Sequence, residues 1–426
     1  MQRSVRRTAS ILVGDVDLPL TLAFLGLMCI GVLMVYSASI GNAYTYYGSQ
    51  YYVLEREVAF AALGLVMISI TARVNYHRWM RIAAPFFGVT MLLLVLVLTH
   101  VGHISHGARR WFSLGAGISL EPSELIKLAL ILYLATWLPR KGAAIRELEK
   151  TFVPFSLAVG LVVFLIVRQP DLGTAIVIAA TAFAVFFVAG ADVRHMVIVA
   201  AGSGCFAWVL IHSSSYRQER LTAFMDPWKD PTGVGWHTVQ ALQALGSGGV
   251  FGTGLGNGVG KFVLPAPHTD SILAVIGEEL GLAGTVTILL LFMVVAYRGM
   301  RIATCAPDPF GRLLAAGITS WITLQALMNF AVITSSVPFT GVPLPFISYG
   351  GTSLIITTTA MGILLNISRH NPREGFAHNT DHRRGDGRPP VPRVIDSPVP
   401  EARRARPHRA PAVSVSVRRS RRSAAQ

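Results

Sequence analysis

The residues of this chain best suited to chemistry stand where polar sequence meets apolar sequence. From Gln240 to Gly284, a Gly-rich and nearly uncharged segment leads through Pro265, Pro267, His268, Thr269 and Asp270 into an apolar run that carries Glu278 and Glu279. A carboxylate at the boundary between water and lipid is costly unless it has a partner or a task, so an ionisable group there is a functional hypothesis by default. A second group is Arg109-Arg110-Trp111-Phe112 followed by Glu121-Pro122-Ser123-Glu124-Leu125-Ile126-Lys127. Pro122 fits the first turn of a helix, and Glu124 and Lys127, three apart, share a face on which they can pair. The same two arginines and the lysine could instead clamp a pyrophosphate, because guanidinium groups hold phosphate oxygens in bidentate fashion. Both readings stand on the spacing alone.

Two further polar breaks interrupt apolar sequence. In Arg168-Gln169-Pro170-Asp171-Leu172-Gly173-Thr174, Asp171 could cap the following helix or neutralise an arginine, and the cap is the simpler role. In Pro343-Leu344-Pro345-Phe346-Ile347-Ser348-Tyr349-Gly350-Gly351, Ser348 opens the last apolar run. His103 and His106 lack the further ligands a metal needs, which leaves them a solvated loop. The glycines from Gly246 to Gly260 permit close backbone approach, but they follow no strand and lack a Gly-Lys-Ser. That argues against a nucleotide loop and leaves a flexible or re-entrant connection.

The elements that must position these groups are membrane helices. With 52% hydrophobic and 14% charged residues and a mean hydropathy of +0.52, the chain of 426 residues is too apolar for a soluble globule. Apolar runs near 18–39, 53–71, 82–100, 122–138, 152–167, 172–189, 193–212, 271–296, 310–335 and 347–368 predict an all-α integral membrane protein of about ten transmembrane helices. Both termini then lie on one side, and a long loop, 213–270, separates helices seven and eight. With the N-terminus cytoplasmic, the inner side gains Arg3, Arg6, Arg7, Arg73, Arg78, Arg81, Arg140, Lys141, Arg146, Lys150, Arg194, Arg298, Arg301 and Arg312, which is the expected bias. Asp270 then faces outside.

The net charge of +15 is mostly a tail: fourteen arginines and five acidic residues follow Asn366 and supply +9 of it. The organisation is thus a basic segment 1–17, a membrane domain 18–368, and a Pro/Arg-rich tail 369–426 with the composition of disorder. Clusters such as Arg403, Arg404, Arg406 and Arg409 suit anionic lipid head groups, not nucleic acid. Cys29, Cys205 and Cys305 have no paired spacing, which argues against a disulfide framework or zinc site. No cleavable signal peptide is read at the start.

Taken in order, RRWFSLG, SLEPSELIKLALILYLA, QPDLGT, ALGSGGVFGTGLGNG, HTD with VIGEELGLAG, and GVPLPFISYGGTSL resemble the SEDS glycosyltransferases, the FtsW, RodA and SpoVE group, over residues 17–368. The opening DLPLTLAFLGLMCIGVLMVYSAS and the RVNYHRWMR, GTGLGNG and IGEELGL wording are nearest to the division-type members. The resemblance implies polymerisation of lipid II on the outer face of the cytoplasmic membrane, in cell division or cell-shape maintenance. Asp270 would be the general base, with Arg109, Arg110, Lys127 and Lys261 neutralising the pyrophosphate. Glu124 and Asp171 would position those cations, and His268, Thr269, Glu278, Glu279 and Ser348 would support the site. A divalent cation, Mg²⁺ or Mn²⁺, could share the neutralisation. The implied partners are a class B penicillin-binding protein and other divisome or elongasome proteins.

The chain departs from the family wording at two places: Ala266 stands where a glutamate is usual, and Ser271, not an aromatic, follows Asp270. Three function classes therefore remain in view: an inverting glycosyltransferase, a lipid II flippase, and a non-catalytic scaffold for a transpeptidase. Transporters commonly carry internal repeats and helices broken near the midplane. No convincing repeat is visible, and the polar motifs gather at outer helix ends, which favours the enzyme.

Overall fold

The computed structural model describes residues 16–105, 108–113, 115, 119–212 and 215–370. His106, the basic residues Arg3, Arg6 and Arg7, and the arginine-rich tail beyond His370 lie outside them, and the described part falls within the compact unit Met1–Ala377.

Every one of the ten apolar runs folds as a helix, and Asp17, Asp171 and Asp308 cap the starts of three of them. Helix α1 (Leu18–Tyr47) starts at Asp17, whose side chain accepts from the Leu20 N–H (3.0 Å), and it stops at Gly48 in left-handed conformation. It outruns its apolar stretch, and there the Thr45 hydroxyl donates back to the Gly41 carbonyl (2.9 Å). There follow α2 (Tyr52–Thr71) and α3 (His77–Val97), then α4 (Pro122–Trp137) with proline in its first turn, and α5 (Val153–Val167). Next come α6 (Leu172–Val188) and α7 (Val193–His212). Beyond the long loop lie α10 (Ile272–Cys305), α11 (Pro309–Ile333) and α12 (Gly351–Arg369). The loop itself supplies α8 (Ser215–Met225) and α9 (Trp236–Ser247).

Among the described residues seven helical segments are long and apolar enough to cross a bilayer, those of α1, α3, α4, α5, α10, α11 and α12. Of the other three runs, α2 and α7 have 20 residues each and α6 has 17. Leucines such as Leu22, Leu33, Leu92 and Leu157 stay exposed on the outside of the bundle, as lipid-facing positions should. Helices α11 and α12 sit deepest: α11 packs on α10, α6 and α4, and α12 on α2. Arg298 donates to both Asp17 carboxylate oxygens (2.9 and 2.5 Å to Oδ2), binding the end of α10 to the start of α1.

The all-helical expectation misses a small antiparallel sheet, β1 (His103–Ser105), β2 (Ala108–Ser113) and β3 (Ser119–Leu120), in which His103 pairs with Trp111 and Phe112 with Leu120. It carries Arg109 and Arg110 on β2. Alternating bulky residues in Arg-Trp-Phe-Ser favour strand, but too few positions are involved for the period to show.

The Gly-rich segment repairs a broken helix. At Gly281 (φ 67°, ψ −164°) α10 leaves helical space, in a region open essentially only to glycine. The carbonyls freed there, of Glu278 and Glu279, accept from the Thr253 and Gly254 N–H groups (2.9 and 3.1 Å). The N–H groups of Leu282 and Ala283 donate to Gly249 and Val250 (2.9 and 3.0 Å). Backbone groups in an apolar environment must find such partners. Gly252 lies against the Glu279 carbonyl, where a side chain would collide. Gly281→Ala would press a Cβ to 2.6 Å from the Val250 carbonyl oxygen. It is expected to destabilise by about 1–3 kcal/mol or more. Gly246→Ala, in open space on α9, should change stability by less than about 0.5 kcal/mol. Thermal unfolding of the detergent-solubilised protein checks this, and equal shifts would remove the pairing from the energetics.

Candidate active site

Asp270 ends a tight loop just before α10. Ala266 holds φ 48°, and its carbonyl accepts from the Thr269 N–H (3.2 Å) and hydroxyl (3.1 Å). The same hydroxyl reaches Asp270 Oδ1 (3.0 Å). The backbone behind the carboxylate is fixed from α11: Asn329 Nδ2 donates both to the Asp270 carbonyl (3.0 Å) and to that of Val342 (2.8 Å). Oδ2 faces Gly341, where an added Cβ would lie 3.5 Å away. The side chain stays partly exposed. Burial raises the pKa of Asp270, against the Thr269 hydrogen bond and the Arg220 charge, which lower it.

The two neighbouring histidines are driven the other way. His268 gives its carbonyl to the Tyr349 N–H (2.9 Å) and sets its ring 5.5 Å from that of Tyr349; burial lowers its pKa. His237, on α9, lies with Nε2 2.8 Å from the Ser271 hydroxyl and its ring 3.8 Å from that of Phe339. Burial and then the Arg220 charge push it down to about 4. Both imidazoles are thus poor proton acceptors near neutrality, whereas the Asp270 carboxylate has its proton affinity increased. Arg220 of α8 donates to the Phe339 carbonyl (3.1 Å) and lies 5.4 Å over its ring.

A second cluster joins the first through amides. Lys127 and Glu124 pair at 2.7 Å, both almost fully buried, and Lys127 also donates to Gln325 Oε1 (2.9 Å). Gln325 accepts from the Trp321 indole (2.8 Å) and donates to the Pro343 carbonyl (3.0 Å). One turn on is Asn329, so α11 grips consecutive carbonyls of the 342–343 strip. Ser348 Oγ accepts from the Leu344 N–H (2.7 Å) and closes the turn beyond it. The chain Glu124–Lys127–Gln325–Pro343 therefore ends beside Asp270.

The other predicted residues separate into two places. Arg110 donates to the carbonyls of Gln169 (2.9 Å) and Pro170 (2.5 Å) and lies 3.9 Å from Asp171, which also caps α6 by accepting from Thr174 (3.1 Å). Asp171 thus fills both roles open to it. Arg109, partly exposed, donates to the Thr99 carbonyl (3.1 Å). Lys261 is in neither cluster: it is 3% exposed and bonded to Glu279 (2.9 Å) and the Gly256 carbonyl (2.7 Å). Glu278 accepts from the Val259 and Gly260 N–H groups (2.8 and 2.9 Å), and Glu279 from Ser37 (2.6 Å) and Gly256 (3.1 Å). These three hold the Gly-rich loop, away from the carboxylate of Asp270.

Sequence reasoning passed over Gln325, Asn329, His237 and Arg220. The first two had a readable signal, two amides four apart in an apolar helix, where polar side chains need partners. His237 and Arg220 had none, being ordinary residues of a polar loop until the fold brings them to Asp270.

A family model described as "Cell cycle protein", which covers FtsW, RodA and SpoVE, matches residues 18–373. "Probable peptidoglycan glycosyltransferase FtsW" of Trichlorobacter lovleyi is 43% identical over 83% of this chain and 93% of its own length. "Stage V sporulation protein E" of Bacillus subtilis is 42% identical over 83% and 97%. Among solved structures, one described as "Structural coordination of polymerization and crosslinking by a peptidoglycan synthase complex" aligns with a TM-score of 0.70 at 29% identity, covering 84% of this chain and 99% of that one. The rod shape determining protein RodA of Thermus thermophilus aligns at 0.62 and 30%, covering 84% and 98%.

Proposed function

This chain belongs to the FtsW/RodA/SpoVE family of cell cycle proteins, and from that premise we propose that it is a peptidoglycan glycosyltransferase using Asp270 as general base. It is a multi-pass membrane protein. All ten apolar helices cross the membrane in this reading, with both termini cytoplasmic and Asp270 outside, as the Lys/Arg bias of the loops requires.

The substrate is lipid II. The acceptor's sugar 4-hydroxyl gives its proton to an Asp270 carboxylate oxygen as its own oxygen bonds to the anomeric carbon of the donor. The bond from that carbon to the pyrophosphate oxygen breaks, and the lipid pyrophosphate departs with the electron pair. Inversion converts the α-linked donor into a β-1,4 linkage. One observation carries the assignment: a partly exposed carboxylate, its backbone fixed by Asn329 and its proton affinity raised by burial, in a loop whose neighbouring histidines are weak bases.

Neutralising the leaving pyrophosphate falls to the partly exposed Arg109 and Arg110, because Lys127 and Lys261 are held in buried pairs. A divalent cation, Mg²⁺ or Mn²⁺, held together with the substrate's own phosphates would share this neutralisation. Among the described residues no three His, Cys, Asp or Glu side chains converge into a ready-made metal site, so such an ion would arrive with the substrate. A class B penicillin-binding protein is the proposed partner, anionic lipid the partner of the tail, and the septum a site of action.

The test is polymerisation of purified lipid II by the solubilised protein with a class B partner. Glycan strands cut by a β-1,4-specific muramidase are expected. No polymer under conditions where another family member makes it would overturn the reading and leave the scaffold or flippase in its place.

A further inference from the structure

The strip of backbone that runs beside Asp270 seats a cation that no motif marks. Asp270 lies between two strips of backbone. Behind it comes Ser271, whose hydroxyl is bonded to His237 Nε2 (2.8 Å) and to the Pro265 carbonyl (3.1 Å). Beside it runs 339–343, with Gly341 against Oδ2. Phe339 joins the two strips, because its ring contacts His237 (3.8 Å between centroids) and its carbonyl and ring both hold Arg220 (3.1 and 5.4 Å). A guanidinium suits such a seat: it is planar, weakly hydrated, charged at every working pH, and able to stack on a ring while donating in its plane.

We propose that Arg220 is a positioning residue for the transfer, acting through Asp270: seated on Phe339, its guanidinium is the fixed positive charge against which the loop carrying the base is built. This rests on the reading of Asp270 as general base. Arg220 from α8 is the charged group whose field reaches that carboxylate; around its loop stand His237 from α9 on the Ser271 hydroxyl and His268 with Tyr349, from the segment before α12, against its ring, while α11 contributes the uncharged Asn329. Both imidazoles are shifted towards neutrality, so Arg220 is the group among these that stays positive through the working range. Its field opposes the burial that favours the protonated acid, and it holds the base ready at lower pH than the burial alone would allow.

The sign of the test follows. Removing the charge raises the proton affinity of Asp270, so the rising limb of the polymerisation rate against pH moves to higher pH. Arg220→Gln is expected to lower the rate about tenfold on the acid side of the limb and to return to within about twofold of wild type on the plateau. Arg220→Lys, which retains the charge but not the fork, should move the limb less than Gln. Phe339→Ala, which leaves the arginine but removes the ring of its seat, should move it in the same direction, and it decides the matter if Arg220→Gln does not fold. An equal loss at every pH, a limb that stays in place in both variants, or a lysine that behaves as glutamine would overturn the proposal. A wild type without polymerising activity takes it down with the function it rests on, whereas an active wild type and a uniform loss in Arg220→Gln overturn it alone.

Discussion

Asp270→Asn is expected to reduce lipid II polymerisation by about 10²–10⁴-fold, the share that general-base catalysis usually carries. The substitution changes little else. The backbone carbonyl of residue 270 keeps its bond from Asn329, the amide is the size of the carboxyl it replaces, and the Thr269 hydroxyl can still donate to the amide oxygen. The unfolding midpoint should therefore stay near that of wild type, so that the loss reads as chemistry and not as misfolding. Ala266 sharpens the experiment. Family wording places a glutamate there, but in this chain the 265–271 loop has no second carboxylate to take over the proton. Nor can the histidines readily substitute, because burial has made both of them weak bases. Substantial activity in Asp270→Asn would place the proton acceptor outside this loop. Asp270→Glu separates position from charge: it keeps the acid but lengthens it toward Gly341, which lies directly beside Oδ2, so activity between the two is the expected result.

What the sequence disclosed was local. Ten apolar runs predicted ten helices because length and hydropathy are properties of a segment by itself. The Glu124–Lys127 pair and the Asp171 cap followed from spacings of three residues, which a helix fixes without help from the rest of the fold. What stayed hidden depended on contacts between distant segments. Trp321, Gln325 and Asn329 on α11 connect Lys127 to the Asp270 loop across 198 and 59 residues of chain, and no window of sequence spans those distances. The break at Gly281 was hidden for a similar reason. A single glycine in an apolar run is ordinary, and only the backbone of residues 249–254 shows that the helix is interrupted there. That break bears on the transport reading, since discontinuous helices are common in transporters. Here the freed backbone groups face a loop of the same chain and are saturated by it, and the carboxylates beside the break are bonded to that loop. The interruption is closed by the Gly-rich loop itself, so it adds no weight to transport.

Lys261→Met should be the most destabilising single change among those considered. Lys261 and Glu279 are 3% and 0% exposed and 2.9 Å apart. Glu279 also accepts from Ser37 and Gly256, so the carboxylate is held in place from three sides. Removing the lysine leaves a buried charge with hydrogen bonds but no counter-ion, and breaking a buried pair in this way typically costs about 3–5 kcal/mol. The loss would loosen the Gly256–Lys261 end of the loop while Glu278 still holds Val259 and Gly260. Lys261→Met combined with Glu279→Gln removes both charges and should regain much of the midpoint, because a neutral amide can keep accepting from Ser37 without an ionic partner. The same pair of variants distinguishes a structural tie from a pyrophosphate contact. If Lys261 touched substrate, the single variant would fold normally and lose activity, and the double variant would remain inactive. If it is the tie that its burial indicates, the two losses move together: the single variant unfolds early and the double variant recovers both stability and polymerisation.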